Sequence, residues 1–137
     1  MASFNKFNSF VEAVAEKVHN LGSDQLKIAL TAAANAPVAT NSQLSNLTEI
    51  SYTNLSSRNV TTSSSAQSSG TYKLTLADLV LTASGSVATF RYVVLYNDTA
   101  TNKELIGWFD YGSDVTLANG DTFTIDFDGS AGALTIA

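Results

Sequence analysis

The segments FRYVVLYNDT (residues 90–99) and LIGWFDYG (residues 105–112) decide the fold class of this chain. Both are rich in aromatic and β-branched residues, which favour strands. The first is apolar on both faces apart from Arg91, as expected of a strand whose two faces are both covered. We therefore predict two strands here, with the first at the centre of its sheet.

Segments that precede this pair also have strand patterns. LKIAL (residues 26–30) alternates apolar residues with others, which is typical of a strand with one buried face. Residues 59–65 predict an irregular or edge strand. In TYKLTLADLVLTASG (residues 71–85) the apolar alternation changes phase at Ala77-Asp78. Such a change indicates a β-bulge or a bend between two sheets.

The C-terminal part of the chain predicts three more strands. Two of them flank Asn119-Gly120, a residue pair that tight turns favour, and the third is GALTIA (residues 132–137). Closely spaced strands with turn signals and no helices between them are typical of a sandwich or small barrel. We therefore predict a mainly β fold, an antiparallel β-sandwich of jelly-roll or immunoglobulin-like type.

The N-terminal segment FNKFNSFVEAVAEKVHNLG (residues 4–22) has a different periodicity. Its apolar residues recur every three or four positions, which predicts an amphipathic α-helix with Ser3 at its start and Gly22 at its end. The stripe that they form is the candidate interface: Phe4, Phe7, Val11, Val14 and Val18. This stripe could pack on its own domain or on a neighbouring subunit, and the sequence leaves both open.

Length and composition indicate one domain with a weakly charged surface. The chain has 137 residues, of which 45% are hydrophobic and only 14% charged. Hydroxyl groups cost less to bury against a partner than charges do, so such a surface suits contact with other proteins. We predict a single domain over residues 1–137, with the N-terminal helix in residues 1–22 and the β-sandwich in residues 23–137.

The charge pattern argues against two classes of partner. The net charge is −5, and the seven basic residues are scattered singly. Nucleic-acid binding needs a basic patch, and binding to anionic lipid needs a polybasic segment. No segment has the length and hydropathy of a membrane span. The sequence therefore predicts neither a nucleic-acid nor a membrane partner.

The residues that could carry chemistry are few. His19 is the single histidine and lies near the end of the predicted helix, where an imidazolium interacts well with the helix dipole. No G-x-S-x-G segment supplies a nucleophile. Asp126 and Asp128 could bind Ca²⁺, but a solvated sheet face explains them more simply. We expect no enzyme activity and no catalytic residue, cofactor or metal.

Two further features allow alternatives. Trp108 and Tyr111 could form a sugar-stacking platform, but neighbouring strand positions alternate faces, so core packing on both sides is favoured. Arg91, inside an apolar strand, is expected to reach an acid such as Asp110 at the edge of the core.

The order of segments resembles that of small virion structural proteins of tailed double-stranded DNA phages. The resemblance covers nearly the whole chain and is carried by five segments: FNKFNSFVEAVAEKVHNLG, LKIALTAAANAPVATN, GTYKLTLADLVLTASG, FRYVVLYNDT with LIGWFDYG, and DTFTIDFDGSAGALTIA. It implies a capsid decoration or cement protein that binds and stabilises the capsid shell. It offers no active-site residues.

The same resemblance implies partners and a location. The partners would be the major capsid protein or other virion subunits, and the protein would itself be a homo-oligomer such as a trimer. Its location would be the virion, assembled in the host cytoplasm. The alternative within this class is a tail-tip or fibre-associated module that recognises a host glycan through Trp108, Tyr111 and the face of Asp126 and Asp128.

Overall fold

A computed structural model describes residues 2–137. The chain forms one short α-helix, α1 (Phe10–Ala15), and two 3-10 turns, Ala33–Asn35 and Leu44–Asn46. The strands are β1 (Phe4–Lys6), β2 (Leu26–Thr31), β3 (Asn59–Val60), β4 (Thr62–Ser68), β5 (Thr71–Leu76), β6 (Leu79–Thr82), β7 (Phe90–Asn97), β8 (Leu105–Val115), β9 (Thr122–Ile125) and β10 (Leu134–Ile136).

The strands form three antiparallel sheets. The largest has five strands in the order β1-β8-β7-β2-β3, and two smaller sheets have the orders β10-β5-β4 and β6-β9. Every strand pair is antiparallel. The prediction of a mainly β, antiparallel fold with a helix near the N-terminus is confirmed.

The main core lies between the five-stranded sheet and the two smaller sheets. It contains Ile28 of β2, Val93 of β7, Leu74 of β5, Leu81 of β6 and Ile125 of β9, none of them more than 1% exposed. Side chains from all three sheets thus share one apolar layer, which is the packing of a sandwich.

A second, smaller core covers the opposite face of the five-stranded sheet. Its buried residues are Phe7, Ala29, Val94, Tyr96 and Leu105, and Leu44, Leu47 and Trp108 pack against them. Both faces of β7 are therefore covered, which confirms the central position predicted for this strand. β2 is also buried on both faces, whereas its sequence indicated only one buried face.

The predicted change of phase at Ala77-Asp78 separates two sheets. β5 ends at Leu76 and pairs with β4 and β10, whereas β6 begins at Leu79 and pairs with β9. The final strand is also confirmed as β10. The turn at Asn119-Gly120 forms, with Gly120 at φ +87°, but it does not join paired strands because β9 pairs with β6.

The predicted long N-terminal helix is wrong in extent. Residues 4–6 are extended and pair with β8, so that Phe4 lies opposite Phe109 and Lys6 opposite Gly107. The helix begins only at Phe10, after Ser9 as its N-cap. The spacing of apolar residues was compatible with a helix, but the sheet edge offered by β8 decides the local structure.

The helix also ends earlier than predicted, at Ala15 rather than at Gly22, with Glu16 as its C-cap. Lys17 has a φ of +66°, its N–H bonds to Val14 O at 3.3 Å, and the N–H of Val18 bonds to Ala13 O at 2.9 Å. This is the Schellman pattern of helix termination, here with lysine in the left-handed position that glycine usually occupies.

Candidate functional site

The five residues of the candidate interface do not form one surface. Phe7 is fully buried beside Trp108, with ring centroids 4.6 Å apart, and Phe4 packs against Phe109 at 5.0 Å. Val14 and Val18 are half-buried, and Val11 is 55% exposed. The structure therefore places most of the stripe inside the protein itself, and only Val11 remains freely exposed.

β1, the edge strand of the large sheet, packs closely against β8. A Cβ atom at Gly107 would lie 2.4 Å from Cζ of Phe4 and 2.6 Å from the backbone oxygen of Asn5. The glycine thus makes room for the Phe4 ring and for the β1 backbone. The outer strand is only three residues long, and short edge strands limit pairing with other chains.

The edge at β4 is open and much longer. β4 has the sequence TSSSAQS, seven residues without charge or proline, and it pairs with β5 on one side only. Most of its residues are exposed, and among the described residues its backbone makes no hydrogen bonds to a further element. The irregularity between Thr62 and Ser64 is its only interruption. We call Thr62–Ser68 the open edge.

A large concave surface lies beside the open edge. It is a groove of about 810 Å³ between the segment that follows α1, the middle of β4 at Ser65, the start of β5, the end of β10 and the loop after β7. Its apolar wall consists of Val14, Val18, Leu21, Tyr72 and Ile136. Its polar residues include His19, Asp24, Glu104, Thr101 and Asn102. We call this surface the groove.

A buried hydrogen-bond chain lies at the base of the groove and fixes the protonation of His19. Asn97 Oδ1 accepts from the N–H groups of Thr99 and Ala100 at 3.0 and 3.1 Å. Its Nδ2 therefore donates to Asp24 Oδ2 at 2.7 Å and lies 3.0 Å from His19 Nδ1. Because Nδ1 accepts this hydrogen bond, the neutral imidazole carries its proton on Nε2.

Two buried polar atoms at this place have no partner in the described part of the chain: His19 Nε2 and Glu104 Oε2. No ion pair joins the two residues among the contacts of residues 2–137. Burial lowers the pKa of His19 below its usual 6.5, and this effect exceeds the opposing influence of the Glu104 and Asp24 charges. The imidazole is therefore neutral, and its Nε2–H donor has no acceptor among the described residues.

This arrangement differs from that of a catalytic histidine. A general base that activates a nucleophile needs a free lone pair, usually on Nε2, with Nδ1–H donating to a carboxylate. His19 has the opposite tautomer and a lowered pKa. It also lies outside the helix, four residues beyond Ala15, so the predicted interaction with the helix dipole does not form.

The predicted aromatic platform does not assemble. Trp108 packs against Phe7 in the second core, whereas Tyr111 packs against Phe109 and Phe123 in the main core. The two rings thus lie on opposite faces of β8, as strand alternation predicted. Burial, with a contribution from the charge of Asp126, raises the pKa of Tyr111 to about 12.

The two late aspartates lie beyond the end of β9. Asp126 is exposed, and Asp128 accepts hydrogen bonds from the N–H groups of Ser130 and Ala131, each at 2.8 Å. These bonds lower the pKa of Asp128 and give it a role in the turn. Within residues 2–137, no three His, Cys, Asp or Glu side chains are grouped so that they could hold a metal ion.

The ion pair expected for Arg91 is present. Its Nε lies 2.9 Å from Asp110 Oδ1 and its second guanidinium nitrogen lies 3.3 Å from Oδ2. This bidentate contact lowers the pKa of Asp110. Both side chains are partly exposed, so the pair contributes little to stability.

A second polar cluster was not predicted from the sequence. Arg58 donates to the backbone oxygen of Ile28 at 2.7 Å and stacks on the ring of Tyr52 at 3.6 Å. The Tyr52 hydroxyl donates to Glu49 and accepts from Leu30 N–H at 3.0 Å. These contacts hold the segment that precedes β3 against β2, and the whole cluster is internally satisfied.

Among the described residues, no helix combines the length and the apolar composition that crossing a membrane requires. Comparisons with protein-family models, with curated proteins and with solved structures give no match.

Proposed function

We propose that this protein is a structural component of a phage particle, of the decoration or cement type, and that it acts by binding without catalysis. The resemblance of its sequence segments supports the assignment to the virion. The open edge supports the binding role and is the single observation on which that role depends. The groove and the tautomer of His19 support the absence of nucleophilic catalysis.

The open edge is suited to strand addition. An unpaired edge presents a row of N–H and C=O groups to any extended segment, and the backbone hydrogen bonds supply the affinity. Natural proteins usually protect such an edge with charge, proline or very short length. β1, β3 and β10 have at most three residues each, whereas β4 has seven and carries no charge.

We propose that the occupant of this edge is a strand of the major capsid protein. Pairing of β4 with β4 of a second copy would be isologous and would close as a dimer. The trimer that the resemblance implies therefore leaves β4 available for the shell. Because β4 carries only hydroxyl, methyl and amide groups, its burial requires no desolvation of charge.

Many such contacts repeated by symmetry would bind firmly even if each is weak. A protein held at several points on one particle rebinds before it escapes, so its apparent affinity exceeds that of one contact by orders of magnitude. A cement protein therefore needs a rigid scaffold and a modest contact surface. The two-core sandwich supplies the scaffold, and the open edge supplies the contact.

The test is co-sedimentation of the purified chain with shells of the phage that encodes it, prepared without this protein. We expect the unaltered chain to pellet with the shells. Ser64→Lys places a charge on the open edge and should reduce the bound fraction at least tenfold without changing the melting temperature. Ser113→Lys, the same change at an exposed position of β8, is the matched control and should bind normally.

Two results would contradict the proposal. One is a chain that stays in the supernatant at all shell concentrations. The other is equal binding of the Ser64→Lys and Ser113→Lys variants, which would show that the contact lies elsewhere. Sedimentation of the free protein gives its oligomeric state, and a dimer that Ser64→Lys dissociates would assign β4 to self-association instead.

A further inference from the structure

We infer that the groove binds a neutral sugar ring, with His19 and Glu104 holding one of its hydroxyl groups. The groove adjoins the open edge at Ser65, but the two atoms to which we assign sugar binding, on His19 and Glu104, lie outside β4. The inference rests on three observations: the two unpartnered buried atoms, the free polar side chains at the rim, and the mixed polar and apolar lining.

The two unpartnered atoms have complementary requirements. His19 Nε2–H needs an acceptor, and Glu104 Oε2 needs a donor. A hydroxyl group satisfies both at once, because its oxygen accepts one hydrogen bond while its proton donates another. An ammonium group cannot accept from Nε2–H, and a carboxylate or phosphate cannot donate to Oε2. The pair therefore selects a neutral hydroxyl over charged ligands.

The state of His19 is fixed by groups outside the groove. Asn97 is oriented by two backbone N–H groups and bonds to His19 Nδ1, so the imidazole cannot exchange its donor for an acceptor without losing this contact. The donor on Nε2 is thus preorganised. Glu104 is half-buried and, like His19, lines the groove.

The rim offers further polar groups that are not engaged. Thr101 and Asn102 are exposed, and their side chains form no hydrogen bonds with other described residues. Such groups would bond to the other hydroxyl groups of a sugar. A simple amide could also satisfy His19 and Glu104, but it has no further hydroxyl groups for Thr101 and Asn102. The opposite wall carries Tyr72 and Ile136, against which the C–H surface of a sugar ring packs.

The size and charge of the groove agree with this ligand class. Its volume of about 810 Å³ is within the range of small-ligand sites. It contains the carboxylates of Asp24 and Glu104 and the ammonium of Lys17. The excess of negative charge disfavours anionic sugars and leaves neutral ones.

The experiment is a titration of the full-length, isotopically labelled chain with the methyl glycosides of glucose, galactose and N-acetylglucosamine, followed by backbone amide NMR shifts. At least one should give saturable shifts confined to the groove, in residues 17–24 and 99–104 and around Tyr72 and Ile136. The double variant Thr101→Val, Asn102→Ala should weaken that binding at least fivefold. Thr122→Val, an isosteric change at an exposed position of β9, should leave it unchanged.

Sorbitol and acetamide serve as competing probes. Equal binding of sorbitol would show that the groove takes any polyol, and tighter binding of acetamide would show that it takes an amide; either result overturns the sugar assignment. Absence of saturable shifts with all three glycosides also overturns it. Glu104→Gln, which keeps the size of the side chain but removes the carboxylate acceptor, should weaken binding of the glycoside.

Discussion

Two edge strands of this protein, β1 and β4, are built in opposite ways. At β1 the edge strand is short: its three residues pair with β8, the ring of Phe4 occupies the space over Gly107, and Phe7, the residue after β1, is fully buried. At β4 the edge is open: seven uncharged residues pair on one side only. The difference teaches that apolar packing fixes the short edge strand in place, whereas the longer edge strand keeps its outward backbone groups unpaired.

The largest expected effect concerns Phe7, the buried residue that directly follows the edge strand β1. Phe7→Ala removes a fully buried ring from the second core, and such a change costs about 3–5 kcal/mol. Phe7→Asp should prevent folding at ordinary temperatures. Thermal unfolding followed by circular dichroism measures both.

Val11→Asp is the control for this prediction. Val11 is 55% exposed on the same stripe, and a surface substitution usually changes stability by less than about 0.5 kcal/mol. If Phe7→Asp melted like the unaltered chain and lost only its binding to shells, the stripe would be an interface after all.

The second prediction concerns the packing of Phe4 over Gly107. Gly107→Ala places a methyl group against the ring and against the backbone of β1, and overpacking of this kind costs about 1–3 kcal/mol. Adding Phe4→Leu should recover part of the loss, because the smaller side chain vacates some of the space. Chemical denaturation of the two single variants and the double variant gives the coupling energy; full additivity would disprove the contact.

The third prediction concerns the pH dependence of the protein's stability. The pKa of His19, which lines the groove beside the open edge, is lower in the folded chain than the usual 6.5. The folded state therefore binds this proton less readily than the unfolded state, so its contribution to stability is present above pH 6.5 and is lost as the pH falls below that value.

Melting temperatures between pH 8 and pH 5 test this expectation. Asp110 and Asp128, whose pKa values are lowered from 3.8, lose their contributions only at more acidic pH. We expect a fall in melting temperature below about pH 6.5, which should disappear in a His19→Gln variant. A His19→Gln variant with the same pH dependence as the unaltered chain would show that another group is responsible.

The sequence predicted those parts of the fold that local patterns determine. The apolar run of β7, the change of phase at Ala77-Asp78 and the pairing of Arg91 with Asp110 all depend on residues close in sequence or on neighbouring strands. In each case burial or charge favours one arrangement of these residues, and this is the arrangement found in the structure.

The parts that were missed depend on distant partners. Phe4 pairs with Phe109, 105 residues further along the chain, instead of joining a helix, because the edge of β8 and the space at Gly107 are available there. β9 pairs with β6 rather than across the turn at Asn119-Gly120. The chain from His19 to Asn97 spans 78 residues, and no local spacing could reveal it.

The most direct test of the account is amide hydrogen exchange of the free protein and of the same protein bound to phage shells. We predict that binding slows exchange in Thr62–Ser68, where a partner strand would cover the outward-facing amide groups, and leaves Phe4–Lys6 unchanged. Unaltered exchange along β4 in the bound protein would contradict the claim that this strand is the docking edge.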